Sequence, residues 1–285
     1  MITTDSVPLL SQNGVMVRVL RTDRLDEVVS GNKWFKLRFY LDEAISTRKK
    51  RIVTFGGAYS NHVVATASVC NRLGLQCAGI IRGEEPESYS HTLTDARSLG
   101  MKLYFLSRTD YRSGLVPPAL LGPENYFIPE GGYGQPGALG AATIPFNKTA
   151  FDTVCCAVGT GTMMAGLITA SGTSPEICGF SVMKNNFGLE GAVRTLLKDK
   201  NPEVKIHHEF HFGGYAKKNN ELIRFMNELF AETGIPTDFV YTAKLFYGVD
   251  TLIRRGHFKP GSSLLVIHSG GLQGNRSLRK GTLIF

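Results

Sequence analysis

Two hydrophobic periods alternate along the chain. Short apolar runs bounded by glycine or polar turns predict strands at Arg51–Phe55, Gln76–Ile81, Lys102–Leu106, Asp152–Ala157, Glu176–Val182, Val204–Glu209 and Leu264–His268. Between them, apolar residues recur at helical spacing over Val63–Leu73, His91–Leu99, Met163–Ala170, Leu189–Leu197 and Asn219–Thr233. Repeated strand–helix units of this length predict an α/β fold of mainly parallel, twisted sheets covered by helices on both faces. A Pro- and Gly-rich section from Val116 to Gly140 interrupts the alternation and suggests a change of domain. No internal repeat or low-complexity segment is present.

Composition narrows the class. With 285 residues and 42% hydrophobic content, the chain can bury one large core or two modest ones. No apolar run reaches the length of a membrane span. The start, Met-Ile-Thr-Thr-Asp-Ser, lacks the basic and apolar blocks of a signal peptide. Five cysteines have no zinc spacing, and their odd number argues against a full disulfide framework, so a cytoplasmic protein without a metal site is expected. The net charge of +8 raises the question of nucleic acid. Its clearest cluster is Arg48-Lys49-Lys50-Arg51, and no aromatic-rich basic stripe accompanies it. A solvated surface with some attraction for anionic ligands is the better reading, with no nucleic-acid or membrane partner.

Candidate chemistry begins at Val158–Gly166, a run of small residues between a strand and a helix. Backbone N–H groups of Gly159, Thr160, Gly161 and Thr162 can wrap a phosphate there, where the helix dipole favours negative charge. Alone the run is weak, since it matches neither the P-loop nor the dinucleotide fingerprint. It gains weight from Ser30-Gly31-Asn32-Lys33, just where a polar turn becomes a helix with apolar Trp34, Leu37, Leu41 and Ala44 at helical spacing. A lysine in a first helical turn faces the positive end of the dipole, which lowers its pKa and suits imine formation with an aldehyde. Lys36, three residues on, competes for the same role on chemistry alone.

Ligands of such sheets bind beyond the carboxyl ends of strands. Three Gly-rich turns follow strand candidates: Gly56–Asn61, Gly159–Thr162 and Ser269-Gly270-Gly271. Ser60 and Asn61 read locally as helix caps, with a substrate-carboxylate and cofactor-oxygen site as the functional alternative. His268 is open between a packed and an active-site histidine. Tyr215 and Tyr241 precede helical stretches, where tyrosines are more often anchors than catalysts.

Taken in order, Gly31-Asn32-Lys33, Gly56–His62, Val158–Gly166, Val240-Tyr241-Thr242 and His268–Gly271 resemble the 1-aminocyclopropane-1-carboxylate deaminase and D-cysteine desulfhydrase family. These are pyridoxal-phosphate enzymes of the tryptophan-synthase β fold, and the resemblance runs from about Arg21 to the C-terminus. It implies two domains: residues 1–40 with 141–285 forming the larger, cofactor-binding one, and 41–140 a smaller one inserted into it. It implies pyridoxal 5'-phosphate as cofactor and a small amino acid as substrate. A homo-oligomer, a dimer, is also expected. Lys33 matches the Schiff-base lysine, Asn61 the residue bonding the pyridoxal hydroxyl, and Gly159–Thr162 the phosphate cradle. Ser60 matches a residue near the substrate carboxylate, with His62 beside it, and Tyr215 and Tyr241 match two active-site tyrosines.

In the family's deaminases, a glutamate near the pyridine nitrogen and a leucine occupy the positions of Thr242 and Ser269. A carboxylate would keep that nitrogen protonated and deepen the electron sink; a hydroxyl leaves it closer to neutral. Thr242 is therefore expected against the cofactor and Ser269 against the substrate, favouring β-elimination from D-cysteine to pyruvate, ammonia and sulfide. Ring-opening deamination is the runner-up. A nicotinamide-dependent oxidoreductase would need a dinucleotide fingerprint that is not found. A non-catalytic pyridoxal-phosphate-binding protein fits less well with intact Lys33, Ser60 and Asn61.

Overall fold

A computed structural model describes residues 2–198 and 202–285. In chain order the elements are β1 (Thr4–Ser6), β2 (Met16–Leu20), α1 (Asn32–Ser46), β3 (Arg51–Gly56), α2 (Asn61–Leu73), β4 (Gln76–Arg82), α3 (His91–Ser98), β5 (Lys102–Leu106), α4 (Arg108–Arg112) and β6 (Asn125–Ile128). They continue with α5 (Gln135–Ala141), β7 (Thr153–Val158), α6 (Thr162–Ser171), β8 (Glu176–Ser181), α7 (Leu189–Thr195), β9 (Lys205–His207), α8 (Asn220–Thr233), α9 (Thr242–Arg254) and β10 (Ser263–Ile267). Short 3₁₀ turns lie between several of these.

The strands form two sheets. One has the order β1-β2-β10-β7-β8-β9 and is parallel except at its β1 edge; the other has the order β5-β4-β3-β6 and is parallel throughout. Parallel sheets need cover on both faces, and the burial pattern follows. Every residue of β7 is buried. One face of the six-stranded sheet packs on α6, through Met163, Met164 and Leu167, and the other on α9, through Leu245, Phe246 and Val249. The four-stranded sheet has its own core, in which Ile52 and Ile81 meet Leu37 and Leu41 of α1 and Val63 and Ala67 of α2.

Several expectations need correction. The Pro- and Gly-rich section holds β6, which pairs with β3 from Arg51↔Asn125 to Thr54↔Ile128 and completes the second sheet. Its four residues are too few, and too unevenly buried, to stand out as a run. Strand β2 was also missed, although Val17 and Val19 are buried while Met16 is exposed, as a strand between unlike faces requires. The strand expected over Val204–Glu209 contracts to Lys205–His207. In α1, Trp34 is 46% exposed; the buried face carries Phe35, Lys36, Leu37, Tyr40, Leu41 and Ala44 instead.

Candidate active site

The carboxyl ends of both sheets converge on one cavity of about 260 Å³. From the six-stranded sheet come Gly159–Thr162 after β7 and Ser269-Gly270 after β10; from the other, Gly57–His62 after β3, Arg82 at the end of β4, and Glu130 and Gly131 beyond β6. Lys33 and Lys36 of α1, Tyr215 and Tyr241 complete the wall that matters here.

Gly31 sets Lys33 against the turn after β10. Its φ is +62°, and a Cβ there would lie 1.9 Å from the Ser269 carbonyl oxygen, so only glycine allows the two segments to touch. Across this contact the Asn32 amide donates to Ser269 O at 3.3 Å, and Gly271 donates to Ser30 Oγ at 3.4 Å. Lys33 Nζ donates to Asn32 Oδ1 and lies 5.9 Å from the centre of the Tyr241 ring. Burial lowers its amine to about 8, against an opposing pull from the Asp238 carboxylate. Lys36 is more deeply buried, and its ammonium donates to the Gly131 carbonyl. Burial, then the neighbouring Lys33, push it well below the usual lysine value.

The turn after β7 has the shape of an anion cradle. Gly161 caps α6 with φ +85°, and a Cβ on it would sit 2.8 Å from Val193 Cγ2. Thr160 and Thr162 hydroxyls lie 3.0 Å apart, and their loop meets Tyr241, whose Cε1 would be 3.2 Å from a Cβ on Gly159. Opposite, Ser60 caps α2, its Oγ accepting from the Val63 amide at 3.4 Å, so the capping reading of Ser60 is correct as far as it goes. Asn61 begins the helix rather than capping it, and its side-chain Oδ1 is buried without a partner. Both ring nitrogens of buried His62 are likewise unpartnered, and burial beside Lys36 and Lys33 holds the ring well below the usual histidine value. A buried polar atom without a partner is unfavourable, so three such atoms on one cavity wall point to a bound polar group.

The tyrosines stand together. Tyr241 donates to Tyr215 Oη at 3.3 Å, their rings meeting edge-on at 5.9 Å. Burial raises the Tyr241 phenol well above its usual value, and desolvation against the cavity wall raises that of Tyr215 although its side chain is 40% exposed, so both stay protonated and able to donate.

One expected residue sits differently, and the open reading of His268 resolves toward packing. Thr242 is fully buried and absent from the cavity wall; its hydroxyl donates to Asp238 Oδ1 at 2.7 Å. His268 is fully buried too, with Nε2 2.6 Å from the Pro236 carbonyl and Nδ1 accepting from the Gly270 amide, which makes it a packing residue. The residues not anticipated are Arg82, Glu130, Asp238 and Lys244. Asp238 accepts from the amides of Val240, Tyr241 and Thr242, all at 2.9 Å, and so shapes the turn that presents Tyr241. An aspartate four residues before a helical threonine was the available signal, because acidic side chains gather at helix starts. Lys244 of α9 is buried and donates to Gly214 O at 2.6 Å, pinning the loop that carries Tyr215. Arg82 and Glu130 could have been found as polar residues at strand ends.

Comparison with known proteins bears on this geometry. The profile described as pyridoxal-phosphate dependent enzyme matches residues 19–270. The chain belongs to that family. It is 30% identical to a putative 1-aminocyclopropane-1-carboxylate deaminase of Pyrococcus abyssi, over 94% of this chain and 88% of that one. It is 28% identical to the mitochondrial bifunctional D-cysteine desulfhydrase/1-aminocyclopropane-1-carboxylate deaminase of Arabidopsis thaliana, over 92% of this chain and 74% of the relative. The crystal structure of an ACC deaminase homologue superposes with a TM-score of 0.82 at 26% identity, covering 96% of this chain and 90% of the other. The α/β architecture is that of the pyridoxal-phosphate enzymes, and the protein is a pyridoxal-phosphate-dependent enzyme. Among the described residues, no helix is long and apolar enough to cross a membrane.

Proposed function

We propose that the cavity holds pyridoxal 5'-phosphate and that the enzyme eliminates the β-substituent of a small amino acid, D-cysteine being the favoured substrate. When bound, the cofactor supplies an electron-accepting ring conjugated to the substrate nitrogen. The residues fit that group. Gly159–Thr162 present backbone N–H groups for a phosphate at the start of α6. Asn61, with its unpartnered oxygen, would accept from the ring hydroxyl, and Lys33 would hold the cofactor's aldehyde through its desolvated amine. Lys36 is the weaker candidate, because its ammonium is bonded to Gly131.

Ser60, His62 and Ser269 line the wall where the substrate carboxylate would lie. Lys33 moves the proton at the substrate Cα, its amine being neutral in an appreciable fraction near pH 8. Tyr215 and Tyr241 keep their protons and donate hydrogen bonds toward the departing group. Thr242 acts at one remove, holding Asp238 and with it the Tyr241 turn. The net reaction consumes one water and yields pyruvate, ammonia and sulfide.

One observation carries the choice of reaction. Among the described residues, the only carboxylate on the cavity wall is Glu130, whose Oε2 accepts from Tyr111. Asp238, which accepts from the Tyr241 amide, is fully buried behind that wall and absent from it. Among the described residues no acid on the wall beside Tyr241 and Ser269 would keep a ring nitrogen protonated, so the sink is modest and suits a good leaving group such as thiolate. Opening of a cyclopropane, the second reading, draws support from the names of the relatives. Side-by-side assays test the choice: sulfide and pyruvate from D-cysteine are expected, and robust 2-oxobutanoate from 1-aminocyclopropane-1-carboxylate without sulfide would overturn it. Borohydride reduction of the holoenzyme should leave the pyridoxyl group on Lys33; finding it on Lys36 would displace the lysine assignment. We further infer residues 1–40 with 141–285 as the cofactor-binding domain, 41–140 as an inserted domain, a cytoplasmic location and a homodimer. All strands of the four-stranded sheet falling between Arg51 and Ile128 supports the division.

A further inference from the structure

A second concavity, of about 600 Å³, opens beside the cofactor cavity and shares two of its residues, Arg82 and Glu130. Its other lining residues are Arg108, Tyr111 and Arg112, so three guanidinium groups face one carboxylate. That carboxylate is already engaged. Glu130 Oε2 accepts from Tyr111 Oη at 2.9 Å, and Oε1 lies 3.7 Å from Arg82 Nη1. Arg82 also lies 5.6 Å from the centre of the Tyr111 ring, which fixes its planar head by a cation–π contact. From that position it reaches the substrate turn: a Cβ on Gly57 would be 3.4 Å from Arg82 Nη2.

Arg108 and Arg112 stand four residues apart on α4, one above the other on the same helical face. Like charges so spaced repel, and no described carboxylate forms an ion pair with either. Asp110, between them, accepts from the Ser107 hydroxyl. The pocket thus has a surplus of fork-shaped donors, the geometry that recognises carboxylates in pairs of hydrogen bonds. It adjoins the turn proposed for the substrate's α-carboxylate.

We propose that this pocket is a distal anion subsite, which receives the side-chain carboxylate of an acidic amino acid whose backbone groups lie against Lys33 and the Gly57–His62 turn. The inference rests on the assignment of the cavity to pyridoxal phosphate and an amino acid. It goes beyond that assignment in naming acidic amino acids as ligands preferred over their neutral amides. Glutamate and glutamine, or aspartate and asparagine, have almost the same shape, so the difference within each pair reads charge.

The test uses the holoenzyme and both pairs, each in both enantiomers. Binding is measured by calorimetry and, separately, as competitive inhibition of sulfide release from D-cysteine. The better-bound acid should be held at least about tenfold more tightly than its amide, as a charge-assisted bidentate contact provides. In an Arg108→Gln, Arg112→Gln double variant that ratio should fall by at least about threefold, with kcat/KM for D-cysteine unchanged, since both side chains are exposed and outside the catalytic wall. A smaller ratio in the wild type, or a ratio the double variant preserves, overturns the subsite. Calorimetry keeps the two proposals separable: absence of sulfide would count against the elimination reading, while the acid-to-amide binding ratio would still decide the subsite.

Discussion

Thr242 and Asp238 hold each other through both side chains: the Thr242 hydroxyl and amide donate to Asp238 Oδ1 at 2.7 and 2.9 Å, and the Asp238 amide donates back to Thr242 Oγ1 at 2.8 Å. The pair closes the turn from which Tyr241 enters the cavity, and it explains why Thr242 itself does not reach the wall. Thr242→Val keeps the shape and removes the hydroxyl, leaving the buried Asp238 amide without an acceptor. A loss of about 1–3 kcal/mol of stability is expected, the usual consequence of stranding a buried donor. Urea unfolding measures it. A variant as stable as the wild type would mean the pair does not hold the turn.

Lys33 gives a pH dependence that can be read without turnover. Burial lowers its amine from 10.5 to about 8, and only the neutral amine attacks an aldehyde. The rate at which apoprotein takes up pyridoxal phosphate should therefore rise with pH and level off above a midpoint near 8, rather than continuing to rise toward 10.5. Absorbance after rapid mixing follows it. Asp238 raises the Lys33 value, so Asp238→Asn should move the midpoint to lower pH.

Lys244 links a buried charge to the placement of Tyr215. Its Nζ donates to Gly214 O at 2.6 Å, and burial lowers the amine to about 8, against an opposing pull from Asp238. Between about 8 and 10.5 the unfolded chain holds this proton more firmly than the folded one, so stability rises with pH across that window. Lys244→Met should remove this residue's contribution to the slope. With the Tyr215 loop unpinned, kcat/KM should fall by about 10²-fold, the scale of a misplacement near 1 Å. Unfolding midpoints against pH and steady-state kinetics check the two effects, and a variant with unaltered kinetics would show that Tyr215 needs no such anchor.

Gly161 carries a backbone requirement and a packing one at the same residue. At φ +85°, with Val193 Cγ2 2.8 Å from any added Cβ, Gly161→Val strains the cradle and displaces α7. A cost of about 1–3 kcal/mol is expected for the left-handed conformation alone. The dialysed variant should lose its cofactor absorbance faster than the wild type. Equal retention would mean that the turn does not hold the phosphate.

Much of this protein is legible locally. Strand and helix periods mark most of the parallel architecture, because burial on both faces leaves continuous apolar runs in the strands and apolar stripes in the helices. The glycine turns at Gly56–Asn61, Gly159–Thr162 and Ser269–Gly271 stand where those periods break, and the structure brings all three to one cavity. Lys33 is legible as a lysine at a helix start. Strand β6 is not, since its pairing with β3 comes from hydrogen bonds to residues more than seventy positions away rather than from its own four side chains. Nor could spacing tell that Trp34 faces outward, which depends on what α1 packs against.

The sequence by itself determined most of the βα units and the glycine turns between them, because those follow from side-chain period and backbone freedom within a few residues. Tertiary structure alone decided which polar groups meet. It turned Thr242 from the cavity to Asp238, tied Lys244 to the Tyr215 loop, and brought Arg82 of β4 to Glu130 beyond β6. Charges and hydrogen bonds act over a few ångströms, and chain folding sets those distances between residues whose separation in sequence carries no trace of them.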